Sequence, residues 1–268
     1  MLQVCLNGPR TAADSGAVPM SPAALAEAAR RAVAAGAEDV HVHPKTPCGR
    51  DSLSPRVVGP ALEAIKAAVD VPVGVTTGAW TEPDPPAPSD GPHSSPDPRL
   101  ERIRSWTVLP DHASVNWHEE GAEALAATLL ERGIGVEAGL WSGTPGPGRF
   151  LRSPLAPRVL RVLAEVTDTD AGSAPGTARA LLAEVAGGAH GRPVLLHGWD
   201  GGAWPVLRLA VELGLNTRIG IEDSLLLPDG RPAADNAQLI AAARAFVRSS
   251  GMASRRALER SSGKTSES

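Results

Sequence analysis

Two histidines separated by a single residue, His41-Val42-His43, close the apolar run Glu38–Val42. Side chains two apart on a strand share a face, so both imidazoles can reach one divalent ion with the backbone undistorted. The following residues, Pro44-Lys45-Thr46-Pro47-Cys48-Gly49, end the strand and open a polar loop. That sets the pair at the C-terminal mouth of a strand. Glu222, in Ile219-Gly220-Ile221-Glu222-Asp223-Ser224, ends a second strand-like run in the same way and could complete the site. Two histidines and one carboxylate leave a metal with open positions, as catalytic rather than structural sites do. The spacing alone does not decide the matter, because strand histidines also serve as hydrogen-bonded core or wall residues.

The elements that must position these residues follow from the pattern of apolar runs. Strands are predicted at Leu2–Leu6, Asp39–His43, Val71–Val75, His112–Asn116, Gly135–Ala138, Val159–Ala164, Pro193–His197 and Thr217–Ile221. Helices are predicted at Ser21–Ala35, Ser54–Val69, Pro98–Trp106, Glu120–Arg132, Gly176–Gly187, Gly202–Leu213 and Asp235–Ser249. Ser21-Pro22 supplies a cap followed by proline at the first helical position. Gly36, Gly133 and Gly214 sit where helices stop. Eight strands with helical crossovers predict a single (β/α)8 TIM barrel over residues 1–252, with a doubly wound sheet as the alternative. After the fifth strand the chain is irregular, and only a short helix fits before Pro157. Residues 81–98 hold proline at seven positions and predict an extended loop; 253–268 reads as a frayed polar tail.

Bulk properties narrow the function. The 268 residues are 42% hydrophobic and 3% aromatic, with no tyrosine, so aliphatic packing must build the core. A net charge of −4, with scattered basic residues, excludes a nucleic-acid surface. Cys5 and Cys48 form no disulfide framework, and there is no signal-like leader and no run of about 20 apolar residues. A cytoplasmic protein without a membrane partner is expected.

In a barrel of this kind the active site lies at the C-terminal strand ends. In order, those ends carry Asn7, His41 and His43, Thr76 and Thr77, Asn116, Glu137, Glu165, His197, and Glu222 with Asp223. Singly, each has an ordinary reading: Asn7-Gly8 as a turn, Thr76-Thr77-Gly78 as a loop, Glu165 facing solvent, His197 as a wall or substrate contact. Together they would cost several kcal/mol to bury unless they served a site.

The ordered set Asn7-Gly8, His41-Val42-His43, Val73-Gly74-Val75-Thr76-Thr77-Gly78, Ser114-Val115-Asn116, Val136-Glu137 and Thr217-Arg218-Ile219-Gly220-Ile221-Glu222-Asp223-Ser224 resembles the β-keto acid cleavage enzymes, whose founding activity is 3-keto-5-aminohexanoate cleavage. The likeness extends to Asp235-Asn236-Ala237. It implies a zinc-dependent transferase that condenses a β-keto acid with acetyl-CoA and cleaves the product to acetoacetate and a new CoA thioester. It implies Zn2+ on His41, His43 and Glu222, a general base at Asp223 with a pKa raised by desolvation, and charge stabilisation by Arg218. Thr76, Thr77, Gly78, Ser114 and Asn116 would bind substrate, and Glu137 would join the site by hydrogen bonding. A homo-oligomer is expected. A metal-dependent aldolase or hydrolase without CoA, or an inactive metal-binding barrel, are the competing readings.

One departure bears on the substrate. Aminohexanoate-cleaving members carry a glutamate shortly after the first strand, where it helps to hold the substrate ammonium, and here Asn7-Gly8-Pro9-Arg10 takes that place. If Arg10 points inward, the reversed charge argues against an amino-bearing substrate and for an anionic or neutral polar one. If Arg10 turns to solvent, it has no such effect. His197-Gly198-Trp199-Asp200 also departs from the founding pattern.

Overall fold

Eight parallel strands close into one barrel in sequence order. The computed structural model describes residues 1–82 and 97–262. The strands are β1 (Leu2–Cys5), β2 (Asp39–Val42), β3 (Val73–Thr76), β4 (His112–Asn116), β5 (Gly135–Trp141), β6 (Arg161–Val166), β7 (Val194–Gly198) and β8 (Asn216–Ile219). The helices are α1 (Pro22–Ala34), α2 (Pro55–Ala68), α3 (Pro98–Arg104), α4 (Ala122–Glu131), α5 (Gly146–Arg152), α6 (Ala174–Ala186), α7 (Ala203–Glu212) and α8 (Asn236–Ser262). The predicted TIM barrel is the observed fold, and the doubly wound alternative is excluded by the pairing of β1 with β8.

Local chemistry sets the helix starts as the sequence suggests. Ser21 accepts a hydrogen bond from the Ala24 amide, with Pro22 at the first turn. Asp97 does the same for Arg99. Two elements differ from expectation. Strand β5 runs on to Trp141, because Gly139, Leu140 and Trp141 find partners in Leu163, Ala164 and Glu165. Helix α8 continues past residue 249, through the start of the segment expected to fray; Ala253, Arg255, Arg256, Ala257 and Leu258 are strong helix formers. The predicted loop at 81–98 lies outside the described residues except at its ends, as does the tail beyond 262.

The strands alternate in a way that decides everything above them. Val4, Val40, Val42, Val73, Val75, Val115, Val136, Ala138, Val162 and Ala164 are fully buried in the apolar core that the helices cover. The intervening residues face the barrel interior, and many are polar. At the lower end Gln3, Asp39, His112, Glu137 and Arg161 form one network. Arg161 donates to Asp39 at 2.7 Å and Glu137 at 2.6 Å, Gln3 donates to both carboxylates, and His112 bonds Asp39 at 3.0 Å. Gly74 makes room for this, since a Cβ there would sit 2.0 Å from the His112 ring.

Burial opposes the charged form of His112, but Glu137 and Asp39 outweigh it and raise its pKa to about 9. A histidine pKa raised on folding adds stability that is complete below the unfolded value near 6.5 and is lost as pH rises through the folded one. Urea midpoints are therefore expected to fall as pH rises from 6.5 through about 9. That fall should shrink in His112→Asn, and an identical fall in both proteins would remove His112 as its source.

Candidate active site

The metal-ligating candidates converge at the upper end of the barrel. His41 and His43 project from the end of β2, and Glu222 sits on the turn after β8. One ligand atom from each lies within 4.8 Å of the others. His41 Nε2 is 3.8 Å from Glu222 Oε2, and His43 Nε2 is 3.7 Å from Glu222 Oε1. All three side chains are buried. The turn is held from both sides: Asn236 accepts from the Ile221 amide and donates to the Leu6 carbonyl. Gly8, at φ +57°, passes so near that a Cβ would lie 2.3 Å from Glu222 Cγ.

The electrostatics suit a cation. Burial, with Arg218 and His43 adding, pushes His41 down to about 4, so its ring is neutral and keeps a free lone pair. His43 donates through Nδ1 to Asp51 at 2.9 Å, which leaves Nε2 as the ligand nitrogen. Asp51 is fixed in turn by Lys45 at 2.5 Å and by the Trp80 indole at 3.0 Å. Glu222 is buried, yet Arg218 and the two histidines hold its carboxyl below the usual range. Its Oε2 is buried with no hydrogen-bond partner. Two imidazole nitrogens and a carboxylate form a donor set that fits one divalent ion with open positions.

Arg218 ties the site to its neighbour. One amino group donates to Glu222 at 2.7 Å and to Asp223 at 2.9 Å, and Nε donates to His197 Nδ1 at 3.2 Å. Asp223 also accepts from the Cys5 thiol at 2.7 Å. Its pKa departs from expectation: burial pushes it up, but Arg218 and His197 outweigh burial and hold it well below the carboxylate range. Burial and Arg218 oppose protonation of His197, whereas Asp223 and Glu165 favour it and raise its pKa overall.

A cavity of about 230 Å³ opens over these groups, walled by His41, His43, Thr76, Ser114, Asn116, Leu163, Glu165, Arg218 and Glu222, with Trp80, Trp141 and Trp199. Thr76, Ser114 and Asn116 are therefore where substrate could reach them. Thr77 is not: it is fully buried and donates to the Ser114 carbonyl. Gly78 serves the wall indirectly, its amide donating to Thr76 Oγ1. Glu137 lies one layer lower, within the barrel-floor network, with Oε2 3.9 Å from His41 Nδ1. It supports His41 from beneath and does not line the pocket. Asp223 likewise lies behind Arg218. Arg10 neither enters the cavity nor turns to solvent. It pairs with Asp200 at 2.5 Å and donates to the Glu222 carbonyl at 3.1 Å, so its charge is already matched.

Glu165 is the clearest correction. Expected to face solvent, it is only 4% exposed and lines the pocket. The signal was present, because Val162, Ala164 and Val166 are the apolar set that packs outward, which turns Arg161, Leu163 and Glu165 inward. Lys45, Asp51, Cys5, Trp80 and Trp141 were also missed; of these Trp141, two residues beyond Gly139, and Cys5, two beyond Gln3, follow the same strand alternation.

The parallel eight-stranded barrel thus sets a two-histidine, one-carboxylate donor set at the wall of a pocket. A family model for the beta-keto acid cleavage enzyme matches residues 1–256, and the chain belongs to that family. No curated protein gives a significant match. Among solved structures, the chain is similar to ObcA in ternary complex with a C4-CoA adduct and oxalate, at 15% identity and TM-score 0.67, covering 88% of this chain and 65% of that one. Apo ObcA matches at 15% and 0.68, covering 88% and 63%. The homocysteine methyltransferase MmuM from Escherichia coli matches at 14% and 0.52, covering 91% and 95%. The chain thus spans just under two thirds of the length of ObcA, and likeness at these identities shows the barrel fold.

Because Asp51 accepts from His43 Nδ1 and so helps to orient its ring, Asp51→Asn is expected to weaken divalent-ion binding by roughly tenfold to a hundredfold. Chelator competition measures this, and unchanged affinity would leave Asp51 a purely structural residue.

Proposed function

We propose that this chain is a zinc-dependent acyltransferase that joins a β-keto acid to acetyl-CoA and cleaves the adduct by a retro-Claisen route, releasing acetoacetate and a new acyl-CoA. The observation that carries this reading is the convergence of His41, His43 and Glu222 on the pocket floor, with Arg218 and Asp223 directly beside them. Membership of the family supports a β-keto acid as substrate. The CoA partner is supported by the C4-CoA adduct in the ObcA complex. We propose further that the enzyme works in the cytoplasm as a homo-oligomer, in keeping with two cysteines that are both free.

The residues divide the work. His41, His43 and Glu222 would hold the zinc, which when bound supplies Lewis-acid polarisation of the keto and carboxylate oxygens. Thr76, Ser114 and Asn116 offer hydroxyl and amide groups to the substrate carboxylate. Asp223, behind Arg218 and outside the pocket lining, would help the removal of the α-proton through that contact rather than by meeting the substrate. Held ionised by Arg218, it is always in the basic form but is an intrinsically weak base, so the proton must be made acidic by charge at the adjoining oxygens. Arg218 both anchors Asp223 and presents positive charge to the cavity. Cys5 holds the second Asp223 oxygen and fixes the carboxylate plane. Glu137 backs His41 without touching substrate.

The deciding experiment is incubation of purified protein with a panel of β-keto acids, with and without acetyl-CoA, read by mass spectrometry of the CoA thioesters. A new acyl-CoA that requires both reactants is expected. Cleavage without acetyl-CoA would replace this reading with an aldolase or hydrolase, and an inert protein across the panel would leave only a metal-binding barrel. Elemental analysis should find about one zinc per chain, lost when both His41 and His43 are changed to Ala. Asp223→Asn should cost at least roughly a hundredfold in turnover with zinc retained. Near-normal activity in that metal-replete variant would remove Asp223 from this step.

A further inference from the structure

The loop that follows His43 folds back on itself. The Ser52 amide donates to the Pro44 carbonyl at 3.0 Å and the Thr46 amide to the Arg50 carbonyl at 2.8 Å. Gly49, at φ +82°, makes the turn, and Lys45 and Asp51 meet as a short antiparallel bridge. Asp51 is thereby returned to His43 with Lys45 alongside it, the lysine side chain only 1% exposed. Lys45 Nζ has two acceptors on different sides of the metal-ligating residues. One is Asp51 Oδ1 at 2.5 Å, in the carboxylate whose Oδ2 takes the His43 Nδ1–H. The other is the Gly8 carbonyl at 2.8 Å. Gly8 lies against the Glu222 side chain. Its neighbour Asn7 accepts from the His43 amide and donates to the His43 carbonyl, each at 2.9 Å.

We propose that Lys45 is a positioning residue that sets the metal centre in its binding geometry before an ion arrives, holding His43 through Asp51 and Glu222 through Gly8. The inference rests on the metal-centre reading above and adds the residue that links two of its ligands. Burying an amine carries a penalty that an apolar side chain of similar length would avoid. A substrate contact does not explain it, because Lys45 is not among the residues that wall the cavity. Loop closure does not explain it either, because the backbone bonds of the loop already provide that. Orientation does. With a bond to each oxygen, the Asp51 carboxylate is fixed toward His43, which keeps the ring in one tautomer with Nε2 as donor. Trp80 also donates to Asp51, but that indole is 45% exposed, whereas the Lys45 bond is shielded from water and correspondingly stronger. With its carbonyl tied to Nζ, Gly8 backs Glu222 on one side while Arg218 holds it on the other. Donors held in place lose less freedom on binding, so affinity rises with no added metal contact.

The test is zinc affinity of the full chain by chelator competition, wild type against Lys45→Met, which keeps an unbranched stem and donates nothing. A loss of roughly tenfold to a hundredfold is expected. The same change in an Asp51→Asn background should lower affinity by a smaller factor, because one of its two routes is already cut. Unchanged affinity in Lys45→Met, or an equal loss in both backgrounds, overturns the inference. Lys45→Gln, one atom shorter and unable to span both acceptors, is held to the same comparison should the methionine variant not fold. In metal-free protein, imidazole 15N NMR should show His43 fixed as its Nδ1–H tautomer in the wild type and exchanging between tautomers in the variant. A general loosening of the barrel would not single out that ring. If the wild type binds no divalent ion, the metal reading fails by itself. The imidazole spectrum then judges Lys45, with lost tautomer order in the variant supporting its hold on His43 and unchanged order overturning it.

Discussion

Glu222 and Asp223 are neighbours in sequence, both buried, and both bonded to one guanidinium group. Two carboxylates side by side in an apolar barrel would repel each other and lose their hydration, and Arg218 is what makes the arrangement tolerable. Removing that charge would leave two uncompensated anions, a cost of about 3–5 kcal/mol for a buried pair that loses its partner. The same contact keeps Glu222 and Asp223 ionised and turns Nε toward His197. The turn that carries both acids is held in place by Asn236 and by the Asp200 amide, which donates to the Asp223 carbonyl. The site is therefore built around a charge balance, and the surrounding backbone bonds serve to keep it in register.

That balance also divides the pocket. On the side of β8, β1 and β2, every ionisable group is engaged with another, and the spare capacity is that of a ligand set. On the side of β5 to β7, spare capacity takes the form of aromatic faces and one oxygen of Glu165, whose other oxygen faces His197.

How much of this the chain announces depends on the range of the interactions. Strand and helix positions follow from local periodicity and caps, and so the barrel is readable from end to end. His41, His43 and Glu222 are readable because strand ends in a barrel share one mouth. The orientation of Glu165 was in the alternation Val162, Ala164, Val166, but a lone acidic residue near a strand end reads equally well as an exit to solvent. Asp51, Lys45 and Cys5 matter only through contacts with residues distant in sequence or folded back by a loop. Arg10 could be placed only by knowing that Asp200 lies across from it, some 190 positions away. The low pKa of Asp223 was hidden for the same reason: desolvation can be guessed from burial, but the sum of neighbouring charges cannot.

The barrel floor has a thermal consequence. Asp39, Glu137, Arg161 and a charged His112 make a neutral quartet sealed from water. Hydration of charged groups becomes less favourable as temperature rises, so the penalty for having stripped water from these four shrinks on heating. Apolar burial, by contrast, stops gaining strength per unit area. The lower half of this barrel should thus loosen later than a purely aliphatic one would, and the His41-bearing strand that rests on Glu137 keeps its footing to the last.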